Sequence, residues 1–79
     1  MIELYFYPGH FDSERAGSLL RKSGLEFTLY DLSDKSIKDK FIDGGMSLEQ
    51  IPCLTDGEET YIGLAEIRRY ISKPRVSNL

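Results

Sequence analysis

The sequence predicts an α/β protein in which four strands form one mixed sheet with helices on both faces. Segments rich in β-forming residues alternate with segments whose apolar residues recur at helical spacing. A helical segment separates the first two strands, and a right-handed crossover of this kind makes such strands parallel. Only a short turn separates the last two strands, so we expect them to pair as an antiparallel hairpin.

The N-terminal third of the chain predicts a strand, a turn and a helix. Ile2–Tyr7 is rich in β-formers and partly alternates, which indicates a strand, and Pro8-Gly9 ends it. Ser13–Ser23 predicts a helix because its apolar residues fall at positions i, i+3 and i+4. Those residues are Ala16, Leu19 and Leu20. Asp12 or Ser13 is a suitable N-cap for this helix.

The middle of the chain predicts a second strand and a short polar helix. Gly24 stands where a glycine would end the first helix, and Leu25–Leu32 then alternates apolar and polar residues as a strand does. Ser33 or Asp34 can cap the helix that follows. The landmarks of that helix are its inward-facing pair, Ile37 and Phe41, and the glycines that end it, Gly44-Gly45.

The last third predicts the hairpin and a third helix. Ile51–Leu54 and Thr60–Ile62 are short β-forming segments, and Asp56-Gly57 between them is a hairpin turn signal. An apolar helical face follows, made by Leu64, Ile67, Tyr70 and Ile71. We therefore expect one domain over residues 1–72 and a loose C-terminal tail over residues 73–79.

Composition argues against several classes of protein. The 79 residues are 41% hydrophobic and 29% charged, as in an ordinary globular domain. The net charge of −3 comes without a Lys/Arg stripe, so we expect no nucleic-acid partner, and no apolar run is long enough to predict a membrane span. One cysteine and one histidine cannot form an intrachain disulfide or a four-ligand zinc site, so we expect no metal. The N-terminus lacks a signal-peptide pattern, which makes the cytoplasm the expected location.

The order of elements and several motifs resemble glutaredoxins, which have the thioredoxin fold. The stretch Leu4–Leu20 resembles the glutaredoxin opening, where a strand and Pro-x lead into Cys-Pro-Tyr-Cys and then x-Arg-Ala-x-x-Leu-Leu. Ile51-Pro52 resembles the Thr-Val-Pro motif of that family, and Ile62–Ile67 resembles its Gly-Gly-x-Asp-Asp-Leu stretch. The resemblance covers nearly the whole chain and implies a thioredoxin fold with the order β-α-β-α-β-β-α.

The resemblance also implies where a ligand would bind. In glutaredoxins the motif proline is cis, and the residue before it pairs its backbone with the cysteinyl part of glutathione. Ile51 and Pro52 are the matching positions in this sequence. The second motif holds the γ-glutamyl end of glutathione at a helix N-terminus, where this sequence has Gly63, Ala65 and Glu66. Glutathione is therefore a possible ligand, and no cofactor is required.

The chain is also similar to the N-terminal domain of glutathione transferases. Lys22–Leu29 resembles a bacterial beta-class pattern, and Glu66–Ile71 resembles the transferase sequence Ala-Ile-x-x-Tyr-Leu. The transferase Glu-Ser pair that binds the γ-glutamate aligns with Gly63-Leu64 and is missing. The length of the chain favours the comparison with glutaredoxins.

The decisive departure from glutaredoxins is the replacement of Cys-Pro-Tyr-Cys by His10-Phe11-Asp12-Ser13. Thiol–disulfide exchange needs a thiolate, and neither an imidazole at position 10 nor a hydroxyl at position 13 can form or resolve a mixed disulfide. The iron–sulfur role of monothiol glutaredoxins also needs a cysteine at position 10. The family lysine that binds a glutathione carboxylate is replaced by Tyr7. We therefore expect no dithiol chemistry.

Each candidate residue has a structural explanation beside a functional one. His10 is a hydrogen-bonding group or general base, or an ordinary surface residue. Ser13 is a first-turn or capping residue, or a nucleophile, and Tyr7 packs on the strand or donates to a bound thiolate. Cys53 is a small buried residue or a redox thiol. Phe11 is apolar in an expected loop, which favours a protein interface.

Three functions follow from these alternatives. The first is a binding module whose groove between His10 and Pro52 takes glutathione, a thiol peptide or an extended chain by backbone pairing. Its expected binding residues are His10, Phe11, Ile51, Pro52, Gly63, Ala65 and Glu66. The second is an interaction or regulatory domain with a protein partner. The third is a transferase-like enzyme in which Tyr7, His10 or Ser13 stabilises a glutathione thiolate.

Overall fold

The computed structural model describes residues 1–73 as an α/β unit with three helices and one four-stranded sheet. The elements are β1 (Ile2–Phe6), α1 (Phe11–Ser23), β2 (Phe27–Asp31), α2 (Lys35–Asp43), β3 (Cys53–Thr55), β4 (Thr60–Ile62) and α3 (Leu64–Ser72). This order confirms the predicted thioredoxin-like layout. Apart from Lys73, the predicted tail lies outside the described residues.

The sheet is mixed, with the strand order β2-β1-β3-β4. β1 pairs with β2 in parallel and with β3 in antiparallel fashion, and β3 and β4 form an antiparallel pair. Both pairing predictions, the parallel βαβ unit and the C-terminal hairpin, are therefore confirmed. β1 lies inside the sheet and contacts a strand on each side, so the chain that leaves its carboxyl end starts from the middle of the fold.

Side chains alternate across the sheet and build an apolar cluster on each face. On one face, Leu4 of β1 and Leu54 of β3 pack against α1 and α3. That cluster contains Leu4, Ala16, Leu20, Leu54, Ile67 and Tyr70. On the other face, Tyr5 and Cys53 lie against α2, whose Phe41 is buried beside Leu32. The prediction of helices on both faces is therefore confirmed.

The first helix begins earlier than the sequence predicts. α1 starts at Phe11 rather than Ser13, and its N-cap is His10, whose side chain accepts from the backbone N–H of Ser13. The prediction of Asp12 or Ser13 as the cap is therefore wrong. The physical reason is that His10 Nδ1 supplies the acceptor that a capping residue normally provides with an oxygen.

Strand bounds also differ from the prediction. β1 ends at Phe6 rather than Tyr7, and β2 covers Phe27–Asp31 rather than Leu25–Leu32. β3 begins at Cys53 rather than Ile51, after a proline that has no N–H to donate to a ladder.

The second helix is capped as predicted. Asp34 is the N-cap of α2, and its Oδ1 accepts from the backbone N–H groups of Ser36 and Ile37 at 2.9 and 3.4 Å. These hydrogen bonds, with that of Ile37 the largest cause, hold the pKa of the Asp34 carboxyl below its usual value.

No helix within residues 1–73 has the length and apolar composition needed to cross a bilayer.

The single cysteine belongs to the core. Cys53 is 3% exposed, and burial raises the pKa of its thiol from 9.0 to about 11. The folded chain therefore keeps the thiol protonated at pH values where the unfolded chain loses the proton. The stabilisation is present in full below about pH 9 and is lost as the pH rises towards about 11.

We predict that the free energy of unfolding falls by about 2 kcal/mol more in the wild type than in Cys53→Ala between about pH 8.5 and pH 11. Below about pH 9 the alanine variant will be less stable because it loses packing, but this thiol no longer contributes to its pH dependence. Urea unfolding across the pH range measures both chains, and their shared lysines and tyrosines cancel in the comparison, apart from Tyr5, whose pKa is raised by burial, by Glu3 and Tyr30 and, last, by Cys53. Equal pH dependence of the two chains would contradict a buried, protonated thiol.

Candidate functional site

Three connections meet at one end of the sheet. β1 is antiparallel to β3, with Tyr5 opposite Cys53, and β3 is antiparallel to β4, with Cys53 opposite Ile62. The carboxyl end of β1, the amino end of β3 and the carboxyl end of β4 therefore lie at the same edge. This arrangement brings together the predicted site residues of the β1–α1 turn, the loop before β3 and the start of α3.

The β1–α1 connection is a tight turn. The backbone N–H of His10 donates to the carbonyl of Tyr7 at 3.1 Å, and Gly9 adopts a φ of 83°. A proline followed by a glycine with positive φ is the pattern of a type II turn, and a side chain would be strained at that glycine. The turn directs the chain away from the sheet and into α1.

His10 and Ser13 contact each other at the start of α1. His10 Nδ1 lies 3.2 Å from the backbone nitrogen of Ser13 and 2.9 Å from its Oγ. Because a backbone N–H can only donate, Nδ1 is the acceptor and carries no proton. The neutral imidazole therefore holds its proton on Nε2, at the opposite side of the ring. The hydroxyl of Ser13 is then a second donor to Nδ1.

The pairing of Ser13 with His10 does not create an accessible nucleophile. A serine hydroxyl within hydrogen-bonding distance of an imidazole is the arrangement that activates serine in many enzymes. Ser13 is fully buried, however, so a substrate has no path to its Oγ. Ser13 therefore helps to hold the start of α1. This is the structural role, rather than the catalytic one, that the sequence also allowed for Ser13.

The peptide bond between Ile51 and Pro52 is cis, as the resemblance implies, and the proline side chain is buried. The carbonyl of Pro52 accepts from the backbone N–H of Gly63 at 2.8 Å, and Asp56 N donates to the carbonyl of Glu59 at 3.2 Å. The backbone groups of Pro52, Leu54 and Asp56 therefore point towards β4. By the alternation of an antiparallel ladder, Ile51 and Cys53 direct their backbone groups towards β1.

The backbone of Ile51 is left open. Continuing the register of β1 and β3 would place Ile51 opposite Tyr7, but the Tyr7 carbonyl already accepts from His10. None of the backbone hydrogen bonds in the described loops involves Ile51. Its N–H and C=O therefore make no ladder hydrogen bond, because β1 turns away at this point.

The start of α3 offers further unpaired donors. Gly63 is its N-cap and makes no side-chain capping bond, and the first helical hydrogen bond runs from Ile67 N to the Gly63 carbonyl at 3.1 Å. The N–H groups of Leu64, Ala65 and Glu66 therefore have no acceptor within the helix. Together with the positive end of the helix dipole, they can receive a carboxylate.

The side chain of Glu66 has a role that the sequence did not reveal. Its Oε1 accepts from the backbone N–H of Ile62 at 2.9 Å. Ile62 belongs to β4, an edge strand of the sheet. Its N–H faces away from β3, because the next residue, Gly63, donates to the Pro52 carbonyl and ladder groups alternate along a strand. Glu66 thus covers an exposed strand edge with one of its two carboxylate oxygens.

Two aromatic side chains are exposed around this end of the sheet. Phe11 is 78% exposed as the first residue of α1, rather than part of a loop, and Tyr7 is 37% exposed beside it. Cys53 lies behind the site with its thiol buried. Within residues 1–73, no three His, Cys, Asp or Glu side chains are grouped to hold a metal ion.

We predict that NMR will find the neutral imidazole of His10 as the Nε2–H tautomer. His10 is the only histidine of the chain, so a long-range ¹H–¹⁵N spectrum gives one unambiguous ring signal. His10→Ala should lower the free energy of unfolding by about 1 kcal/mol because the cap is lost, whereas His10→Asn, which retains an acceptor, should be nearly neutral. An Nδ1–H tautomer, or equal stability of the two variants, would contradict the capping geometry.

Comparison with known proteins does not place the chain in a family. No protein-family model matches it, and no curated protein matches it.

Proposed function

We propose that this chain binds short, extended peptide-like ligands, glutathione among them, without thiol–disulfide exchange. The open backbone of Ile51 is the observation that carries the proposal. A ligand in extended conformation can donate to the Ile51 carbonyl and accept from its N–H, which continues the ladder in the place that β1 leaves. Recognition of this kind needs no catalytic side chain.

The start of α3 supports a peptide with a free carboxylate near one end. A ligand strand paired with Ile51 lies next to the Pro52–Gly63 hydrogen bond, which ties the loop before β3 to the N-terminus of α3. The unpaired N–H groups of Leu64–Glu66 can then bind the carboxylate of a γ-glutamyl or α-amino acid end. Glutathione combines an extended backbone with such a group, as the resemblance to glutaredoxins also implies.

The side chains at this end of the sheet argue against turnover. Position 10 carries an imidazole whose Nδ1 is already bound to Ser13, and Ser13 itself is buried. Burial raises the pKa of Cys53 to about 11, so almost no thiolate exists near neutral pH. We also propose a cytoplasmic location, where glutathione keeps thiols reduced.

A role as an interaction domain is the second candidate. Phe11 exposes most of its ring at the start of α1, and a protein partner that covers it would bury apolar surface at the same end of the sheet. An extended segment of a partner could also pair with Ile51. The two candidates differ in ligand size rather than in the binding mode.

The first test is a titration of the ¹⁵N-labelled chain with reduced glutathione and with S-methylglutathione. We expect both to shift the amide signals of Ile51, Cys53 and the first turn of α3, with similar affinity because the sulfur takes no part in a reaction. Absence of shifts at about 5 mM of either compound would mean a binding free energy weaker than about −3 kcal/mol and would refute glutathione binding. Selective loss of binding on methylation would indicate sulfur chemistry instead.

A charge at Ala65 distinguishes carboxylate binding from other contacts. Ala65 is exposed in the first turn of α3, where a glutamate is compatible with the helix dipole and the fold. We expect Ala65→Glu to weaken glutathione binding about fivefold or more, through repulsion of the ligand carboxylate. Ala65→Gln, of the same size but neutral, should bind nearly as the wild type does. Equal weakening by both variants would contradict an anion site at this helix start.

A further inference from the structure

The outer surface of α1 and α3 carries an apolar groove. These helices cover the same face of the sheet, and a cavity of about 390 Å³ lies between their outer sides. It is lined by Arg15, Leu19, Arg68, Ile71 and Ser72. Leu19 and Ile71 are half-buried, so each retains apolar surface that the described residues do not cover.

The groove is flanked by positive charge in an otherwise acidic chain. Beyond their first turns, α1 and α3 cover residues 15–23 and 67–72, which contain no aspartate or glutamate. Of the five basic residues in these ranges, Arg15 and Arg68 line the groove, whereas Arg69 lines a separate cavity with Glu59 and Glu66. The ion pair found among the described residues, Lys35 with Asp39, lies on α2. Arg15 and Arg68 therefore form no ion pair with an acidic side chain of the described residues.

We propose that this groove binds an amphipathic helix of a protein partner, with an apolar stripe between acidic flanks. α1 and α3 both start at the same end of the sheet, so they run parallel, and a third helix can lie in the groove between them. Leu19 and Ile71 would contact its apolar stripe. Arg15 stands on one side of the groove and Arg68 on the other, which suits acidic residues along both flanks of the partner helix.

The charge pattern favours a partner of this kind over a second copy of the chain. A second copy would have to offer an acidic helical face, and α1 and α3 are basic in the ranges above. α2 carries three lysines and two aspartates over Lys35–Asp43, so it is not acidic either. Nucleic acid would leave the apolar floor of Leu19 and Ile71 uncovered, and the net charge of the chain opposes it.

The test uses a designed helical peptide of about four turns, with leucines along one face and glutamates on both flanks. The control peptide has glutamine at every glutamate position. We expect the acidic peptide to shift the amide signals of residues 15–22 and 68–72 and to bind at least tenfold more tightly than the control at low salt. The affinity should fall as salt is added.

Variants of the chain locate the binding surface. Arg15→Glu and Arg68→Glu should each weaken peptide binding about threefold or more, and both together about tenfold or more. Both side chains are exposed, so the fold should be retained, and amide spectra of the free variants verify this. Lys40→Glu makes the same change of charge on α2, at the other face of the sheet, and should leave binding unchanged.

Five results would overturn the proposal. Four of them are equal binding of the two peptides, equal effects of Arg68→Glu and Lys40→Glu, shifts outside α1 and α3, and self-association of the free chain through this surface. Tighter binding to vesicles of anionic lipid than to the peptide would also overturn it. The outcome is separate from that of the glutathione titration, because the groove side chains and the backbone of Ile51 are different surfaces.

Discussion

The hydrogen bond from His10 N to the Tyr7 carbonyl determines how this end of the molecule is built. It closes the turn after β1, and Gly9 supplies the positive φ that the turn requires. Because the Tyr7 carbonyl is occupied, β1 ends at Phe6 and cannot continue its ladder with the loop before β3. The same turn sets His10 as the cap of α1. The start of the helix and the open backbone of Ile51 are therefore two consequences of one local constraint.

The fold was predictable from the sequence because its signals are local and agree with one another. Apolar spacing identified the three helices that lie within residues 1–73, and Asp56-Gly57 between two β-forming segments identified the hairpin. Asp34 was a correct cap because an aspartate before a helix commonly accepts from its first N–H groups. His10 was missed because histidine is not among the preferred caps. Its Nδ1 becomes an acceptor only through the turn that orients the ring.

The candidate site was less predictable, since a polar residue in the sequence does not reveal which backbone group it will contact. Ser13 and Glu66 both looked available for chemistry or binding. In the structure Ser13 bonds to the ring that caps α1, and Glu66 covers the Ile62 N–H at the edge of the sheet. Hydrogen bonds of this type depend on the three-dimensional register of strands and helix starts. The remaining groups that can bind a ligand belong mainly to the backbone, which sequence patterns do not display.

The two proposed surfaces share the same two helices but use different parts of them. The first turns of α1 and α3 face the end of the sheet where Ile51 is open, whereas Arg15 and Arg68 face outward along the helix sides. A partner helix in the outer groove would therefore leave the Ile51 backbone accessible. Phe11 is one helical turn before Arg15, so it lies where the two surfaces adjoin. Only a partner long enough to reach Phe11 would also cover its exposed ring.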